Sequence, residues 1–327
     1  MNFQKITAGL LSVFLLAGTP VPALADTASD AVTAAPQIVN VNYADIEFLV
    51  RSGNQTIRAN EKTLDSLNSN DAAGQIVVTA QKLYVTFHYL NAERNQLLKQ
   101  QQALDDTLKI TQLKADLGLI TQTDLLNARQ QKNTLADTLT ALANQMRTVK
   151  NNLQVLLGYS SDYDLSISSA PSPDANFSAA MNEAADRQTA QSANWTLKEK
   201  KLAKEIADDD KDSDLDSTVD DYRAASLNYS LALNTFNASF QQVYNDVAEK
   251  QSRLASAQAA YDAKTKTLDA VKLQNTLGIA SALELKNAQT DLDSAQAALD
   301  QAKLNLFSSQ EQYRWALRGV ISTSTQE

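Results

Sequence analysis

The sequence predicts an all-α fold of internally duplicated, long antiparallel coiled-coil hairpins, and three observations lead to this prediction. The five prolines all lie before residue 37 or at positions 171 and 173. Glycine is nearly as sparse, with eight in 327 residues. A chain with so few helix breakers is expected to be almost entirely helical. Finally, a twelve-residue stretch that begins at Leu117 recurs at Leu277, which is 160 residues later.

Each copy of this stretch predicts a tight reversal between two long helices. A glycine ends the first helix by adopting the left-handed conformation. Three residues later a hydroxyl side chain can N-cap the second helix, and an acidic residue three positions further on closes a capping box. These residues are Gly118, Thr121 and Asp124 in the first copy, and Gly278, Ser281 and Glu284 in the second.

The chain divides into an export signal and two helical repeats. Lys5, the apolar residues 6–18 and a small-x-small site ending at Ala25 are typical of a secretory signal peptide. We therefore predict a signal peptide at 1–25, a polar segment at 26–41, a first repeat at 42–158, a linker at 159–176, a second repeat at 177–320 and a polar tail at 321–327.

Each repeat is expected to contain one shorter helix followed by two long ones. The helix at 122–157 carries apolar residues at heptad spacing from Leu135 to Leu156, which favours knobs-into-holes packing. Gly158 and Gly319 fall at the predicted ends of the last long helices. The predicted helices are 43–67, 75–117 and 122–157 in the first repeat, and 178–207, 218–277 and 282–318 in the second, with a turn at 66–74 and an acidic linker at 208–216.

The composition argues against several classes of function. The chain has no cysteine, a single histidine at position 88 and a net charge of −9, which together disfavour thiol chemistry, catalytic triads and nucleic-acid binding. We find no nucleophile elbow, phosphate-binding loop or dinucleotide fingerprint, so we expect no enzyme, cofactor or metal. The acidic run 208–221 offers an EF-hand-like frame for Ca²⁺, but Leu215 stands where such a loop needs glycine, and a solvated linker is the favoured interpretation.

At the two reversals the sequence resembles the TolC-like outer-membrane efflux family. Members of that family carry a turn of the form Gly-(Leu/Thr)-x-(Ser/Thr)-x-x-Asp-x-x-x-Ala in each half of an internal duplication. The resemblance covers roughly residues 42–320 and includes the helix endings at Gly158 and Gly319. The matching turn residues are Gly118, Thr121, Asp124 and Ala128, and then Gly278, Ser281, Glu284 and Ala288.

The resemblance implies a passive duct. In the family, three chains form an α-helical barrel topped by an outer-membrane β-barrel, and an inner-membrane pump delivers the substrate. The turns form the periplasmic mouth and meet the helical hairpins of an adaptor protein, while the acids Asp124 and Glu284 occupy positions near the entrance. The adaptor-contacting residues implied here are Gly118, Leu119, Thr121, Gly278, Ile279 and Ser281.

The connections at 66–74 and 208–216 depart from the family pattern. Relatives carry two membrane-spanning strands there, and each such strand needs about 9–11 residues. Both gaps are too short, so we predict no β-barrel and no direct membrane insertion. The leading hypothesis is a TolC-like efflux or secretion component in the cell envelope, outer-membrane-associated or periplasmic, which forms a homotrimer and engages a periplasmic adaptor and an inner-membrane pump. The alternative is a structural or adhesive coiled-coil protein of the envelope without transport activity.

Overall fold

The computed structural model describes residues 37–63, 66–211 and 215–321, with the side chains of 66–70 left out. The predicted signal peptide at 1–25 and residues 322–327 of the predicted tail lie outside these ranges. Two short strands accompany the described helices. The elements are β1 Gln37–Val41, a 3-10 turn Tyr43–Asp45, α1 Ile46–Gly53, α2 Gln55–Thr63, α3 Ser66–Asp116, α4 Gln122–Leu156, β2 Tyr163–Ile167, α5 Phe177–Ala180, α6 Glu183–Ala193, α7 Trp195–Asp209, α8 Asp216–Thr276 and α9 Ala282–Leu317.

Two long antiparallel hairpins, α3 with α4 and α8 with α9, dominate the structure and confirm the predicted helical fold. Helix α3 also packs against α9, and this contact joins the two repeats. Helix α8 has 61 residues and is therefore about 90 Å long. In the predicted heptad seam of α4, Leu142 and Leu153 are buried. Among the described residues, no helix combines the length and the apolar character that crossing a bilayer requires.

The apolar core is divided into two clusters, one for each repeat. The first gathers β1, α1 and the beginning of α3 around Val50, Val77 and Tyr84, and it includes Trp315 from α9. The second lies between α6, α8 and α9 around Phe240 and Tyr313. Trp315 therefore links the end of the second repeat to the core of the first.

The predictions of single helices at 43–67 and 178–207 were wrong. In the first repeat the helix breaks at Asn54, which lies between α1 and α2. In the second repeat Asn194 separates α6 from α7 in the same way, and α5 stands apart. The side chain of each asparagine caps the helix that follows it. Asn54 Oδ1 accepts a hydrogen bond from Ile57 N at 3.1 Å, and Asn194 Oδ1 accepts one from Leu197 N at 2.9 Å.

The prediction of a turn at 66–74 was also wrong, because α3 already begins at Ser66. Two small residues of this segment, Ala73 and Gly74, serve packing. Ala73 is buried in the first core cluster. A Cβ at Gly74 would lie 3.0 Å from the Val320 side chain and 3.5 Å from the Trp315 ring. At Gly74 the small residue therefore reflects the close approach of α9 and of the chain that follows it.

The two strands were not predicted, because each is only five residues long and their pairing joins distant parts of the chain. They form a two-stranded parallel sheet in which Gln37 lies opposite Tyr163 and Val41 opposite Ile167. This sheet ties the segment before α1 to the linker after α4. Val41 and Leu165 contribute its buried side chains.

Candidate docking site at the helical tips

The first reversal, between α3 and α4, is a Schellman turn. Gly118 N donates to the carbonyl of Ala115 at 3.0 Å, and Leu119 N donates to the carbonyl of Lys114 at 2.8 Å. Gly118 has φ +70°, and a Cβ at this position would meet nothing within 4 Å. The backbone conformation rather than lack of space therefore favours glycine here.

The second reversal, between α8 and α9, repeats this geometry. Gly278 has φ +74° and donates its N–H to the carbonyl of Asn275 at 3.0 Å, while Ile279 N donates to the carbonyl of Gln274 at 2.8 Å. One contact is particular to this copy, because Asn275 Nδ2 also donates to the carbonyl of Ala280 at 2.9 Å. The first copy has Ala115 at the equivalent position, so it cannot form that bond.

The predicted capping boxes are present at both tips. Asp124 N donates to Thr121 Oγ1 at 3.2 Å, and Thr121 N donates to Asp124 Oδ2 at 3.0 Å. Glu284 N donates to Ser281 Oγ at 3.2 Å, and Ser281 N donates to Glu284 Oε2 at 2.6 Å. These bonds close both ends of the turn, so each tip is held rigidly by its own backbone and caps.

The acids at the tips are exposed carboxylates stabilised in the charged form. Hydrogen bonds from the Thr121 side chain and then its backbone lower the pKa of Asp124. Bonds from the Ser281 backbone and then its side chain lower the pKa of Glu284 in the same way. Both acids therefore act as caps in this structure, and their predicted place at an entrance stays a prediction.

Apolar side chains project into solvent around both tips. The residues flanking each glycine are largely exposed: Leu117 is 64% and Leu119 69% accessible, and Leu277 is 64% and Ile279 73% accessible. Leu119 and Ile279 were predicted from the sequence as contact residues, whereas Leu117 and Leu277 were not. One turn of helix earlier, Leu113 and Leu273 are also exposed, and they are related by the same 160-residue repeat. Apolar residues that recur at the repeat spacing were the signal that could have revealed them.

Both tips lie at the same end of the molecule. Lys286, early in α9, lies 3.3 Å from Asp106, near the end of α3. Further from the tips, Lys99 of α3 pairs with Asp293 of α9 at 2.8 Å. These pairs show that α3 and α9 run antiparallel, so the turn that ends α3 and the turn that precedes α9 lie at the same end of the molecule. The two sets of tip residues, which are 160 positions apart in the sequence, therefore share one end of the structure.

The other sites considered from the sequence gain no support. Among the described residues, no group of three His, Cys, Asp or Glu side chains is arranged to hold a metal ion. The EF-hand-like frame includes residues 212–214, which lie outside the described ranges. His88 is buried against the Tyr84 and Phe87 rings, and burial lowers its pKa.

Comparison with solved structures identifies the fold, although no family model and no curated protein matches the sequence. CusC, which forms a transmembrane channel, aligns with a TM-score of 0.60 at 13% identity, over 84% of this chain and 85% of CusC. The outer-membrane channel OprN aligns with a TM-score of 0.54 at 14% identity, over 85% of this chain and 70% of OprN. The outer membrane protein VceC from Vibrio cholerae aligns with a TM-score of 0.52 at 16% identity, over 86% of this chain and 75% of VceC.

The chain has the TolC-like helical fold. The alignments extend over both repeats of this TolC-like fold, because each covers more than four-fifths of the chain. The long helices of the hairpins α3–α4 and α8–α9 match this fold.

Proposed function

We propose that the protein is a component of an efflux or secretion system, a passive helical duct or docking subunit that engages an adaptor protein through its two tips. The observation that carries the proposal is the pair of rigid, repeat-related tips at one end of a TolC-like fold. No chemistry is required of the protein in this role. The tips provide a shape and an apolar surface, and the long hairpins provide the wall.

The tips are suited to docking because their apolar side chains are exposed on a fixed backbone. Burying a leucine side chain contributes about 1.5–3 kcal/mol. A turn already held by its Schellman bonds and capping box loses little conformational entropy on binding. Gly118, Thr121, Gly278 and Ser281 would shape the contact, whereas Leu119 and Ile279 would fill pockets on the adaptor.

The wider assembly follows from the same likeness. We infer a homotrimer in the cell envelope, with a periplasmic adaptor and an inner-membrane pump as partners. In that assembly the exposed carboxylates of Asp124 and Glu284 would lie near the entrance and favour cations over anions. Export through a signal peptide at 1–25 is part of this proposal.

The test is binding to the helical hairpin domain of a periplasmic adaptor protein from the host cells. The double variant Leu119→Asp with Ile279→Asp places charges on both tips without touching the core, since both side chains are exposed. We expect its affinity for that domain to fall at least about tenfold. Leu227→Asp is the matched control, because Leu227 is 70% exposed in the part of α8 remote from the tip, and it should bind like the wild type.

Two results would overturn the proposal. One is equal affinity of the tip variant and the control. The other is a wild-type protein that stays monomeric at every concentration and does not bind the adaptor domain. The second result would favour the structural or adhesive role in the envelope. Loss of transport in a deletion strain with an intact envelope would argue against that alternative.

A further inference from the structure

A cleft of about 250 Å³ lies at the end of the molecule where the two repeats meet, beside the chain that follows α9. The first repeat contributes side chains from α1 and α3, and the second contributes α7 and the end of α9. The side chains that matter for its chemistry are Arg51, Asp71, Trp195, Lys198, Trp315 and Arg318.

Both tryptophans of the chain line this cleft. Trp315 is buried, and its Nε1 donates to Gln81 Oε1 at 2.6 Å, which fixes the indole plane. Trp195 is the first residue of α7 and directly follows the capping residue Asn194, whose side chain is bonded to Gly319. The Trp315 ring is therefore held by a hydrogen bond to the first repeat, whereas Trp195 is placed by its position at the start of the capped helix α7.

Positive charge is concentrated in the cleft although the whole chain is acidic. Glu47 bonds to Arg51 at 3.0 Å and to Arg318 at 2.9 Å, so one carboxylate holds two guanidinium groups in place. The Arg318 guanidinium also lies 4.0 Å from the centre of the Trp315 ring. Two cations that share one anion leave a net positive charge next to an aromatic surface.

The two remaining charged side chains of the cleft, Lys198 and Asp71, have opposite effects on the binding of an anion. Lys198 is exposed, and within the described part of the chain no carboxylate forms an ion pair with it. Asp71 is half-buried, and this burial raises its pKa, so its charge is less firmly held than that of an exposed carboxylate. Lys198 would attract an anion in the cleft and Asp71 would repel it.

We propose that this cleft binds a small aromatic carboxylate. The partly exposed Trp195 indole offers an apolar surface for a ring, and the guanidinium and ammonium groups offer charge-assisted hydrogen bonds to a carboxylate. A volume of 250 Å³ is below the range of about 300–1,000 Å³ that holds drug-sized ligands, which limits the ligand to about one ring. The proposal does not depend on adaptor docking, because the tips lie at the other ends of α3, α4, α8 and α9.

The experiment is a titration of the purified protein with benzoate, monitored by calorimetry and by tryptophan fluorescence. The fluorescence reports only on this cleft because both tryptophans line it. Benzamide serves as the neutral analogue of the same shape. We expect saturable benzoate binding that changes the fluorescence, and weaker binding of benzamide. Lys198→Gln should weaken benzoate about three- to fivefold, and Asp71→Asn should strengthen it by a similar factor. Lys200→Gln, which removes a charge from the same helix outside the cleft, should have no effect.

Circular dichroism checks that each variant keeps its helical content, and Lys198 is exposed, so its replacement leaves the core intact. Three outcomes would overturn the proposal. These are the absence of saturable benzoate binding, equal affinities for benzoate and benzamide, and equal effects of Lys198→Gln and Lys200→Gln.

Discussion

Asn194 Nδ2 donates a hydrogen bond to the carbonyl of Gly319 at 2.8 Å, and this contact fastens the break between α6 and α7 to the end of α9. The first repeat has the same arrangement, in which Asn54 Nδ2 donates to the carbonyl of Leu156 at 2.9 Å. In both repeats, then, one asparagine caps a helix with its oxygen and binds the end of a long helix with its nitrogen. The glycine at that end has a positive φ, +84° for Gly319 and +79° for Gly158.

We expect Asn194→Ala to lower the free energy of unfolding by about 1–2 kcal/mol, because it removes both a helix cap and a partly buried hydrogen bond. Denaturant titration measures the loss. The control is Ser192→Ala, since Ser192 Oγ donates only to the Gln188 carbonyl of its own helix. The control should change stability by less than about 0.5 kcal/mol. Equal losses in the two variants would contradict the role assigned to Asn194.

Gly319→Ala should destabilise the protein more than Asn194→Ala. A Cβ at Gly319 would collide with the backbone of Ala193, and the positive φ adds about 1–2 kcal/mol for a residue with a side chain. The comparison variant is Gly118→Ala, where φ is similarly positive but the added Cβ meets nothing within 4 Å. Thermal unfolding of both variants would separate the steric contribution from the conformational one. A Gly118→Ala loss as large as that of Gly319→Ala would contradict the steric contribution.

The capping boxes at the tips should weaken in acid. Hydrogen bonds from Thr121 lower the pKa of Asp124 below its ordinary value of 3.8, so its carboxylate stabilises the folded tip above that value and loses the effect as the pH falls through the lowered pKa. NMR chemical shifts of the backbone amides at 118–125 should follow this titration. Asp124→Asn should abolish the response at the first tip and leave the second, at Ser281 and Glu284, unchanged. Persistence of the response in Asp124→Asn would show that another group causes it.

Two ion pairs join α3 to α9, and the two residues of each pair should be energetically coupled by about 0.2–1 kcal/mol. Lys99 pairs with Asp293, and Asp106 pairs with Lys286, so each helix carries a lysine and an aspartate seven residues apart. Lys99→Glu and Asp293→Lys should each destabilise the protein, and the combined swap should restore stability at low salt but less so at high salt. The control is a double-mutant cycle between Lys99 and Asp300. Asp300 pairs with Lys303, so this cycle should show no coupling. Equal coupling in the two cycles would contradict a specific pair.

The linker between the repeats should loosen when Gln310 is replaced. This side chain is 1% exposed; its Oε1 accepts from Asp174 N and its Nε2 donates to the Asp174 carbonyl, both at 2.8 Å. Gln310→Ala leaves the Asp174 N–H without a partner and its carbonyl with only the longer bond from Phe177 N at 3.4 Å, and we expect a loss of about 1–3 kcal/mol. Limited proteolysis should then cut residues 171–176 faster than in the wild type. Gln296→Ala, whose bond is to Asp300 within α9, should leave the cleavage rate unchanged.

The sequence alone determined the long hairpins, their tips and the helix ends at Gly158 and Gly319. These features depend on contacts within a few residues, such as the bond from Asp124 N to Thr121 Oγ1 and the Schellman bonds of each glycine. Interactions of such short range can be recognised from consecutive residues, and the 160-residue repeat shows the same pattern twice in the sequence.

Tertiary structure decided where the shorter helices break, where the strands pair and which side chains form the cleft. Asn54 and Asn194 interrupt helices because each meets a long-helix end that lies 102 or 125 residues away in sequence. A turn was predicted at Gly74 because the side chain that approaches this glycine, Trp315, belongs to the other repeat. Local sequence patterns do not indicate such distant partners, so only the packing of one repeat against the other could reveal them.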